Sequence, residues 1–554
     1  MIRRVLVADR GESARRVIAT CRLAGIETVA VGSDADASAP HVAEADWAVH
    51  LPGSAPTATY QRGDLIIAAI RKAGVDAVHP GWGSLSADPD FAAAVADQGL
   101  TWIGPPAKML ALLRDRHAVA GQLAEAGLPV AQEPPATAVR RLDVQVIVDS
   151  HGNTLAFGER ECSVQRRDQP LLVESPSPVV SPELREDLIQ TALRAVVTLG
   201  YVGAATVELS LTADGRPYLR RVCPWLPAEH GVTECATGLD LVRLQLLVAE
   251  GAPVPVTGVP AARGHTIAVR LRAEDPTSAW QPCPGHLHQF SVDPVRGEFA
   301  PLPVSGLRLD AGVSPGEEVS VRYDSTIATL TAWAPTRYEA VRLLGGALAR
   351  ARIHGLTTNR DLLVRVLRHP ALLAGAVDAR FLDTHPEVFA PLMSSVDSGR
   401  LSCLAAALAA AAERRAGTPV LSRLPSGWRN VASGAQTVVY NGRMGTVEIG
   451  YQLDRAGELD SWWVRAVDPD ELDLAGLGQP FSLPDDHPPV ALLSVAPDEV
   501  VLDVAGVRLT YSINRVGNVS YVDSTDGSVV LTELPRYPEP AGLDEQWAWA
   551  EPEC

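Results

Sequence analysis

The chain is almost without lysine. Only two of its 48 basic residues are lysines, Lys72 and Lys108, and both lie in the first fifth of the 554 residues. Because a guanidinium differs in shape from an ammonium group and does not act as a nucleophilic amine, arginine cannot replace lysine where the chemistry needs one. The sequence therefore excludes any function that requires a lysine after position 108.

Three other features are missing. The seven cysteines are scattered and form no CxxC pair, which argues against a disulfide framework or a zinc site. The formal net charge of −18 leaves no basic stripe for nucleic acid or an anionic membrane. No run reaches the roughly 20 apolar residues of a membrane span, and the first residues lack a secretory signal pattern. We therefore expect a cytoplasmic protein with no metal centre, no nucleic acid and no membrane partner.

What is present divides the chain into regions of different periodicity. Short apolar strands alternate with helices over the first hundred residues, which predicts an open parallel α/β sheet. Antiparallel strands follow, then an Ala-rich helix, and then alternating apolar and polar residues with Asn-Gly and Asp-Gly turns, which are typical of a small all-β barrel or sandwich. The predicted boundaries are 1–112, a helix and short linker over 113–141, 142–385, a helical linker over 386–427, a β domain over 428–540 and a loose acidic tail over 541–554.

Several long motifs occur in the order of one known family. They include VLVADRGESARRVIATCRLAG, DAVHPGWGSLSADPDFA, GERECSVQRRDQ, EHGVTECATGLDLVRLQL, RGHTIAVRLRAEDP and VRYDSTIATL. This set resembles the biotin carboxylases, the ATP-grasp components of acyl-CoA carboxylases. The resemblance implies a biotin carboxylase-like parallel α/β domain over 1–112, a truncated ATP-grasp domain over 142–385, and over 428–540 the β domain that docks such α subunits on their carboxyltransferase.

The resemblance also implies a list of chemical requirements: a lid over the ATP phosphates, two carboxylates for magnesium, cations for phosphate and bicarbonate, and a base for biotin. Where the family has a lid of several dozen residues, this chain has only the connector between Pro129 and Leu142, which contains no glycine. Its prolines lack the N–H groups with which a glycine-rich loop holds phosphates. We therefore expect that the chain binds neither ATP nor magnesium.

Seven positions that match the family's site carry a different residue. An arginine where a hard cation needs an oxygen ligand repels the cation, and an acid and a proline in place of two potential cations weaken an anion site. In chain order the positions are Arg116 for a nucleotide-contacting lysine, Asp168 for a histidine, Pro170 for a bicarbonate-region lysine, Arg221 for the second magnesium carboxylate, Cys223 for an asparagine, Trp225 for the catalytic arginine and Pro227 for a glutamine.

Three matching positions keep the family's residue: Glu208 for a magnesium carboxylate, Glu229 for the general base and Arg308 for the biotin-facing arginine. Two interpretations remain open. These residues could form a vestigial pocket for a biotin carried by another subunit, or they could form ordinary salt bridges. The segment Asp9–Glu12 also allows two interpretations. It is either a relic of the active site or a strand-to-helix turn with capping acids.

In family members the PRYPEP segment leads into a carrier domain with a biotinyl lysine, whereas no lysine follows Lys108 here. We therefore expect no covalently bound biotin, and biotin only in trans. The first functional hypothesis is a non-catalytic subunit that docks on carboxyltransferase β subunits in a hetero-oligomer, together with a biotinylated α subunit. The alternatives are an atypical α subunit whose carboxylase site is completed in trans, and a ligand-sensing regulator of the complex.

Overall fold

The computed structural model describes residues 1–130, 138–255, 259–393, 395–418, 434–467 and 489–535. The chain divides into two compact units, residues 1–390 and 391–554. The predicted acidic tail, 541–554, and most of the connector between Pro129 and Leu142 lie outside the described residues. Within the described ranges no helix is both long and apolar enough to cross a membrane.

The first unit begins with the predicted parallel sheet. Its five strands run in the order β3-β2-β1-β4-β5, and every pair is parallel. Three of the strands are buried over nearly their whole length, as expected for strands covered on both faces. The elements are β1 (Arg4–Val7), α1 (Gly11–Leu23), β2 (Glu27–Ser33), α2 (Pro40–Glu44), β3 (Trp47–Leu51), α3 (Gly63–Ala73), β4 (Ala77–His79), α4 (Pro89–Ala96) and β5 (Thr101–Trp102).

The rest of the first unit is built on a nine-stranded, mainly antiparallel sheet. Its elements are α5 (Ala107–Arg114), α6 (Arg116–Glu125), β6 (Ala138–Val148), β7 (Thr154–Glu161), β8 (Gln165–Arg166), β9 (Gln169–Pro170), β10 (Leu172–Ser175), α7 (Pro182–Thr198), β11 (Gly203–Thr212), β12 (Pro217–Cys223), α8 (His230–Thr237), α9 (Leu241–Ala249), β13 (His265–Arg272), β14 (Glu274–Asp275), β15 (Gln281–Pro282), β16 (Gly285–His286), β17 (Gln289–Ser291), β18 (Val295–Gly297), β19 (Gly306–Ala311), β20 (Glu318–Val319), β21 (Thr326–Ala334), α10 (Arg337–Ala349), β22 (Arg352–His354), α11 (Arg360–Arg368), α12 (Pro370–Leu373) and α13 (Phe381–Thr384). The strands of the large sheet run in the order β12-β11-β6-β7-β10-β13-β21-β19-β18.

The segment predicted as a helix and linker, 113–141, contributes more to this sheet than the sequence indicated. Asp115 ends the short helix α5 and caps α6, because its carboxylate accepts hydrogen bonds from the backbone N–H groups of His117 and Ala118. Strand β6 then begins at Ala138, so the last four residues of the predicted linker belong to the sheet. The difference matters for the site, because Arg141 is one of those four.

The second unit has a helix inside an antiparallel sheet. Helix α14 (Val396–Ala416) is buried without interruption from Leu401 to Ala411, so every side of the helix is covered. It shares one hydrophobic core with side chains from all eight strands, which run in the order β25-β24-β23-β30-β29-β28-β27-β26. The strands are β23 (Gln436–Gly442), β24 (Gly445–Leu453), β25 (Leu459–Ala466), β26 (Val490–Val495), β27 (Glu499–Val504), β28 (Val507–Val516), β29 (Val519–Ser524) and β30 (Gly527–Glu533).

The helical linker predicted over 386–427 is therefore wrong in one respect. Its Ala-rich helix does not connect two domains across solvent but forms the centre of the second unit. The alanines leave room for the curved sheet to approach the helix closely, and Leu404 and Leu408 fill the remaining space. The all-β module predicted over 428–540 is present as a near-barrel that closes around α14.

Candidate functional site

Several residues that the sequence singled out lie on or next to β12 and β11, at one edge of the nine-stranded sheet, whereas Arg308 lies on β19, near the other edge. Strand β11 carries Glu208, and its neighbour β12 carries Arg221 and Cys223; in the antiparallel ladder Glu208 lies directly opposite Arg221. A short loop then leads through Trp225 to Glu229, which precedes helix α8. The sheet thus brings together positions that are 13 to 21 residues apart in the sequence.

Glu208 is held by two arginines. Its Oε1 accepts hydrogen bonds from Arg141 Nη2 at 3.0 Å and from Arg221 Nη2 at 2.7 Å. Cys223 Sγ lies 3.3 Å from the same oxygen, and burial raises the pKa of this thiol well above its usual value, so it remains a thiol that can donate. The other oxygen, Oε2, is buried and has no hydrogen-bond partner among the described residues.

These side chains do not fit a magnesium ion. Magnesium requires near-octahedral oxygen ligation, which carboxylates and water normally supply. Among the described residues, Asp143 shares Arg141 with Glu208, and Asp143 is already paired with this arginine at 3.2 Å. The guanidinium of Arg221 lies where a second carboxylate would have to stand, and it carries the same sign of charge as the ion.

Glu229 is buried and makes one long contact. Its Oε1 lies 3.5 Å from Arg270 Nη1. Glu12, from the first turn of α1, shares this surrounding: its Oε1 is buried without a partner in the described part of the chain. Burial raises the pKa of the Glu12 carboxyl to about 8 despite the nearby Arg270 guanidinium, so Glu12 is mainly protonated at neutral pH. Arg270 thus lies near Glu229 and the mainly protonated Glu12, and the charges of Asp324 and Glu274 act on it as well.

Arg308 is completely enclosed. Its guanidinium binds both oxygens of Asp310, at 2.6 to 2.9 Å, and Oε2 of Glu234 at 2.7 Å. Glu234 in turn binds Arg16 Nη2 at 2.6 Å, and the side chains of Arg16, Glu234 and Arg308 are all 0% exposed. The arginine predicted to face biotin therefore points into a buried ion-pair network. All three retained residues, Glu208, Glu229 and Arg308, have ion-pair partners.

The segment Asp9–Glu12 does not cap its helix in the way the sequence suggested, because the residue at the N-cap is Arg10 and no side chain caps the helix. Asp9 instead accepts hydrogen bonds from the backbone N–H groups of Trp82 and Gly83, which ties the start of α1 to the loop after β4. Arg10 pairs with Asp36 at 2.7 Å. Both side chains are engaged in contacts within the fold.

Of the remaining predicted positions, Asp168 lies in the tight turn between β8 and β9, where its Oδ1 accepts from Arg220 Nη2 at 3.2 Å. Pro170 is buried in β9, and the carbonyl of Pro227 accepts from the backbone N–H of His230. Arg116 begins α6 and is exposed. Together with Trp225 it lines a cavity of about 120 Å³ whose other walls include Leu110, Leu113, Arg114, Val119, Leu123, Leu219, Arg220, Arg221 and Cys223.

Sequence reasoning missed Arg141, Arg270 and Glu234, which neutralise the three retained residues. A local signal existed for pairs two residues apart on one strand, because residues i and i+2 share a face. Arg308 with Asp310, and Arg141 with Asp143, are pairs of this kind. No local signal marks partners such as Glu234 for Arg308, which are separated by 74 residues.

One cluster of potential metal ligands occurs among the described residues, formed by His369, His385 and Glu387. The backbone N–H of Ala371 donates to His369 Nδ1, so His369 Nε2 carries the proton and donates to Glu387 Oε1 at 3.0 Å. A metal-bound histidine normally donates from its second ring nitrogen. His369 is therefore held in a hydrogen bond with Glu387, and it is not arranged as a zinc ligand; His385 Nδ1 lies 3.0 Å from the Phe381 carbonyl.

Comparisons with known proteins agree along the chain. Residues 1–110 match the biotin carboxylase N-terminal domain, 130–257 the ATP-binding domain of the carbamoyl-phosphate synthase L chain, 268–384 the biotin carboxylase C-terminal domain, and 399–536 the BT domain of the methylcrotonyl-CoA carboxylase alpha subunit. The structure is similar to a pyruvate carboxylase from Rhizobium etli, with a TM-score of 0.68 and 33% identity over 78% of this chain and 44% of that one.

Curated relatives show the same relationship. The propionyl-CoA carboxylase alpha chain of Ruegeria pomeroyi is 32% identical over 78% of this chain and 75% of its own length. The biotin carboxylase of Halalkalibacterium halodurans is 33% identical over 70% of this chain and 99% of its own length. For the methylcrotonoyl-CoA carboxylase subunit alpha of Dictyostelium discoideum, 33% identical, the match spans 64% of the relative's length. The chain therefore belongs to the family of biotin carboxylases and acyl-CoA carboxylase alpha subunits that carry a BT domain.

Proposed function

We propose that this chain is a non-catalytic alpha-type subunit that scaffolds or regulates an acyl-CoA carboxylase assembly. The observation that carries the proposal is the pairing of Glu208 with Arg221 and Arg141 at 2.7 and 3.0 Å. A carboxylate that would bind magnesium in an active relative has its charge neutralised by the chain's own arginines. Without that cation the phosphates of ATP lack the partner that phosphoryl transfer requires.

Two further features support the absence of carboxylation. The guanidinium of Arg308, which the family resemblance would direct toward biotin, is 0% exposed and bound to Asp310 and Glu234. The segment between α6, which ends at Glu125, and β6, which starts at Ala138, is too short to form a lid of several dozen residues. The binding of biotin, ATP and magnesium by this chain is thus disfavoured at three separate places.

The test is a measurement on the full purified chain. We expect no saturable heat on titration with MgATP and no bicarbonate-dependent release of ADP in the presence of free biotin. The biotin carboxylase of Halalkalibacterium halodurans serves as the positive control. ADP release that persists in the Glu229→Gln variant would come from a contaminant, whereas bicarbonate-dependent release that disappears in this variant would contradict the proposal.

The assembly role rests on the second unit. Residues 399–536 match the BT domain of a carboxylase alpha subunit, and the helix and sheet of that region form a complete core. We propose that this unit docks on a carboxyltransferase β subunit and that a biotinylated alpha subunit supplies the carboxylated biotin. Affinity purification of the tagged chain from its host, with the untagged host as control, should recover carboxyltransferase and biotinylated subunits; recovery of the chain without any carboxylase component would refute the role.

The active alternative keeps one specific observation in its favour. Glu229, at the family's general-base position, remains buried beside Arg270 rather than being replaced. If a partner chain completes the site, ADP release should appear only when the co-purified subunits are present, and it should again depend on Glu229. A ligand-sensing role would instead appear as a thermal shift with one ligand in the absence of turnover.

A further inference from the structure

A second cavity is formed in part by the β8–β9 turn that also carries Asp168. Its volume is about 240 Å³, and it is lined by Arg166, Arg167, Gln169, Leu171, Arg272, Glu274 and Trp280. None of the retained or replaced positions of the family site is in this lining. The cavity is formed by the turn between β8 and β9, the end of β13 and the hairpin of β14 and β15.

The most buried arginine of this cavity has two donors without a partner in the described part of the chain. The side chain of Arg272 is 7% exposed, and its Nε and Nη2 are buried with no hydrogen-bond partner in the described part of the chain. Only Nη1 makes a contact, at 3.5 Å from Glu274 Oε1. Buried guanidinium groups normally have their N–H donors satisfied, so these two donors beside a cavity are available to an acceptor inside it.

Two more arginines stand at the same cavity. Arg166 lies with its guanidinium carbon 4.7 Å from the centre of the Trp280 ring, which holds the side chain in place over the aromatic face. Burial, together with the charges of Arg167 and Arg272, lowers the pKa of the Arg166 guanidinium. The arginines therefore repel one another, and an anion between them would relieve this repulsion.

Two acids lie beside these arginines. Glu274 Oε2 lies 4.0 Å from Arg166 Nη1, and Glu274 Oε1 accepts a hydrogen bond from Ser325 Oγ at 2.5 Å. Although burial opposes the effect, the charge of Arg272 lowers the pKa of the Asp324 carboxyl. Neither acid forms an ion pair with Arg167 in the described part of the chain. The planar, forked donors of arginine match the paired oxygens of carboxylates and phosphoryl groups.

We propose that this cavity binds a compact dianion, either a phosphoryl group or a dicarboxylate, through Arg166, Arg167 and Arg272. The inference does not depend on whether the chain carboxylates biotin. The ligand's oxygens would accept hydrogen bonds from the free Nε–H and Nη2–H groups of Arg272. Arg166 and Arg167 would close over it from the β8–β9 turn.

The turn supplies a matched pair of variants. Arg167 and Asp168 are adjacent, exposed, and both have positive φ, 48° and 62°. Glycine tolerates this backbone conformation, so Arg167→Gly and Asp168→Gly should both fold. The first removes a positive charge from the cavity and the second removes a negative charge beside it.

The experiment is calorimetric titration of the full chain with inorganic phosphate and, separately, with malonate, in a buffer free of both at low ionic strength. We expect saturable binding of at least one, about tenfold weaker for Arg167→Gly and not weaker for Asp168→Gly. Saturation by phosphate alone would identify a phosphoryl ligand, and by malonate alone a dicarboxylate. Absence of saturable binding of both, or equal affinities in the two glycine variants, would overturn the proposal.

A second measurement needs no variant. Phenylglyoxal modifies exposed guanidinium groups, and the bound anion should slow its reaction with Arg166 and Arg167, located by peptide mass spectrometry. Arg216, whose side chain is 75% exposed in the β11–β12 hairpin and does not line the cavity, is the internal control. Equal protection of Arg216 would show a general salt effect and refute a site at this cavity.

Discussion

The buried carboxylate of Glu234, on α8, links this helix to α1 and to β19 in the first unit. It accepts from Arg16 on α1 at 2.6 Å and from Arg308 on β19 at 2.7 Å, and it stands on α8. None of the three side chains is exposed, so water cannot replace a lost partner. The variant Glu234→Gln keeps the shape of the side chain and removes its charge.

The size of the effect follows from this burial. Each pair, with its charges about 4 Å apart, gains about 4 kcal/mol of Coulomb energy at an effective dielectric constant near 20, and desolvation offsets much of it. Removal of one partner leaves the others uncompensated, which costs about 3–5 kcal/mol in buried pairs. Arg16 and Arg308 keep Asp240 and Asp310, so we expect the lower end, about 3 kcal/mol.

The assay is native-state hydrogen exchange followed by mass spectrometry, because a unit of 390 residues need not unfold in one step. Peptides from α1 and α8 should lose protection in Glu234→Gln, whereas Asp64→Asn, which removes half of an exposed ion pair, should leave them unchanged. Unchanged exchange in α1 and α8 of Glu234→Gln would refute the bracing role of the network.

The pH dependence gives an independent check on the same residue. Burial alone would raise the pKa of Glu234, but Arg16 and Arg308 lower it below the usual 4.5. A depressed carboxyl pKa contributes stability that is present above the unfolded value and is lost as the pH falls through the folded value. The difference in stability between the native chain and Glu234→Gln should therefore be constant above about pH 5 and become smaller below pH 4.5.

Three other changes test other parts of the fold. Burial raises the pKa of Glu12 to about 8, so the folded state loses stability as the pH rises from 4.5 to 8, at up to about 1.4 kcal/mol per pH unit. The variant Glu12→Gln should therefore be more stable than the native chain at pH 8 and equal to it at pH 4. The midpoints of urea unfolding measure this difference. Leu404→Ala should lower the free energy of unfolding of the second unit by about 2–5 kcal/mol, because Leu404 is fully buried in its core. Val396 lies on the same helix and is 60% exposed, so Val396→Ala should lower it much less. Equal unfolding midpoints for the two variants would contradict the placement of α14. Among the six described cysteines only Cys283 is partly exposed, so iodoacetamide should label it before the five buried ones, and labelling of Cys403 in the folded chain would argue against the buried helix.

The sequence was sufficient for the layers of the fold. Strand β1, with the motif RVLV, and strand β2, with ETVAVGS, are short and rich in apolar residues, as expected for buried parallel strands, and they pair in the predicted parallel sheet. The Ala-rich segment was harder to place. High helix propensity is the same for an exposed and a buried helix, and only the absence of charge between Leu401 and Ala411 indicated that α14 is covered on all sides.

The composition of the site was visible in the sequence, but its contacts were not. The replacement at Arg221 could be read from the motif that carries it. That Arg221 meets Glu208 follows only from the register of β11 and β12, and that Arg141 joins them requires β6 to pair with β11 across 67 residues. Ion-pair partners this far apart are set by strand pairing, which residue patterns alone do not determine.

The register pair of Glu208 and Arg221 also supplies a positive charge for the buried carboxylate from within the chain. A carboxylate that is 4% exposed is costly unless a positive charge lies beside it. In a magnesium site the ion supplies that charge only while it is bound. Arg221 supplies it permanently, since it is covalently part of the strand opposite, and its side chain is 36% exposed, so its own desolvation is partial. An arginine in place of the metal ligand that the family resemblance implies at this position can therefore leave the fold stable, which is what the proposed non-catalytic role requires of this unit.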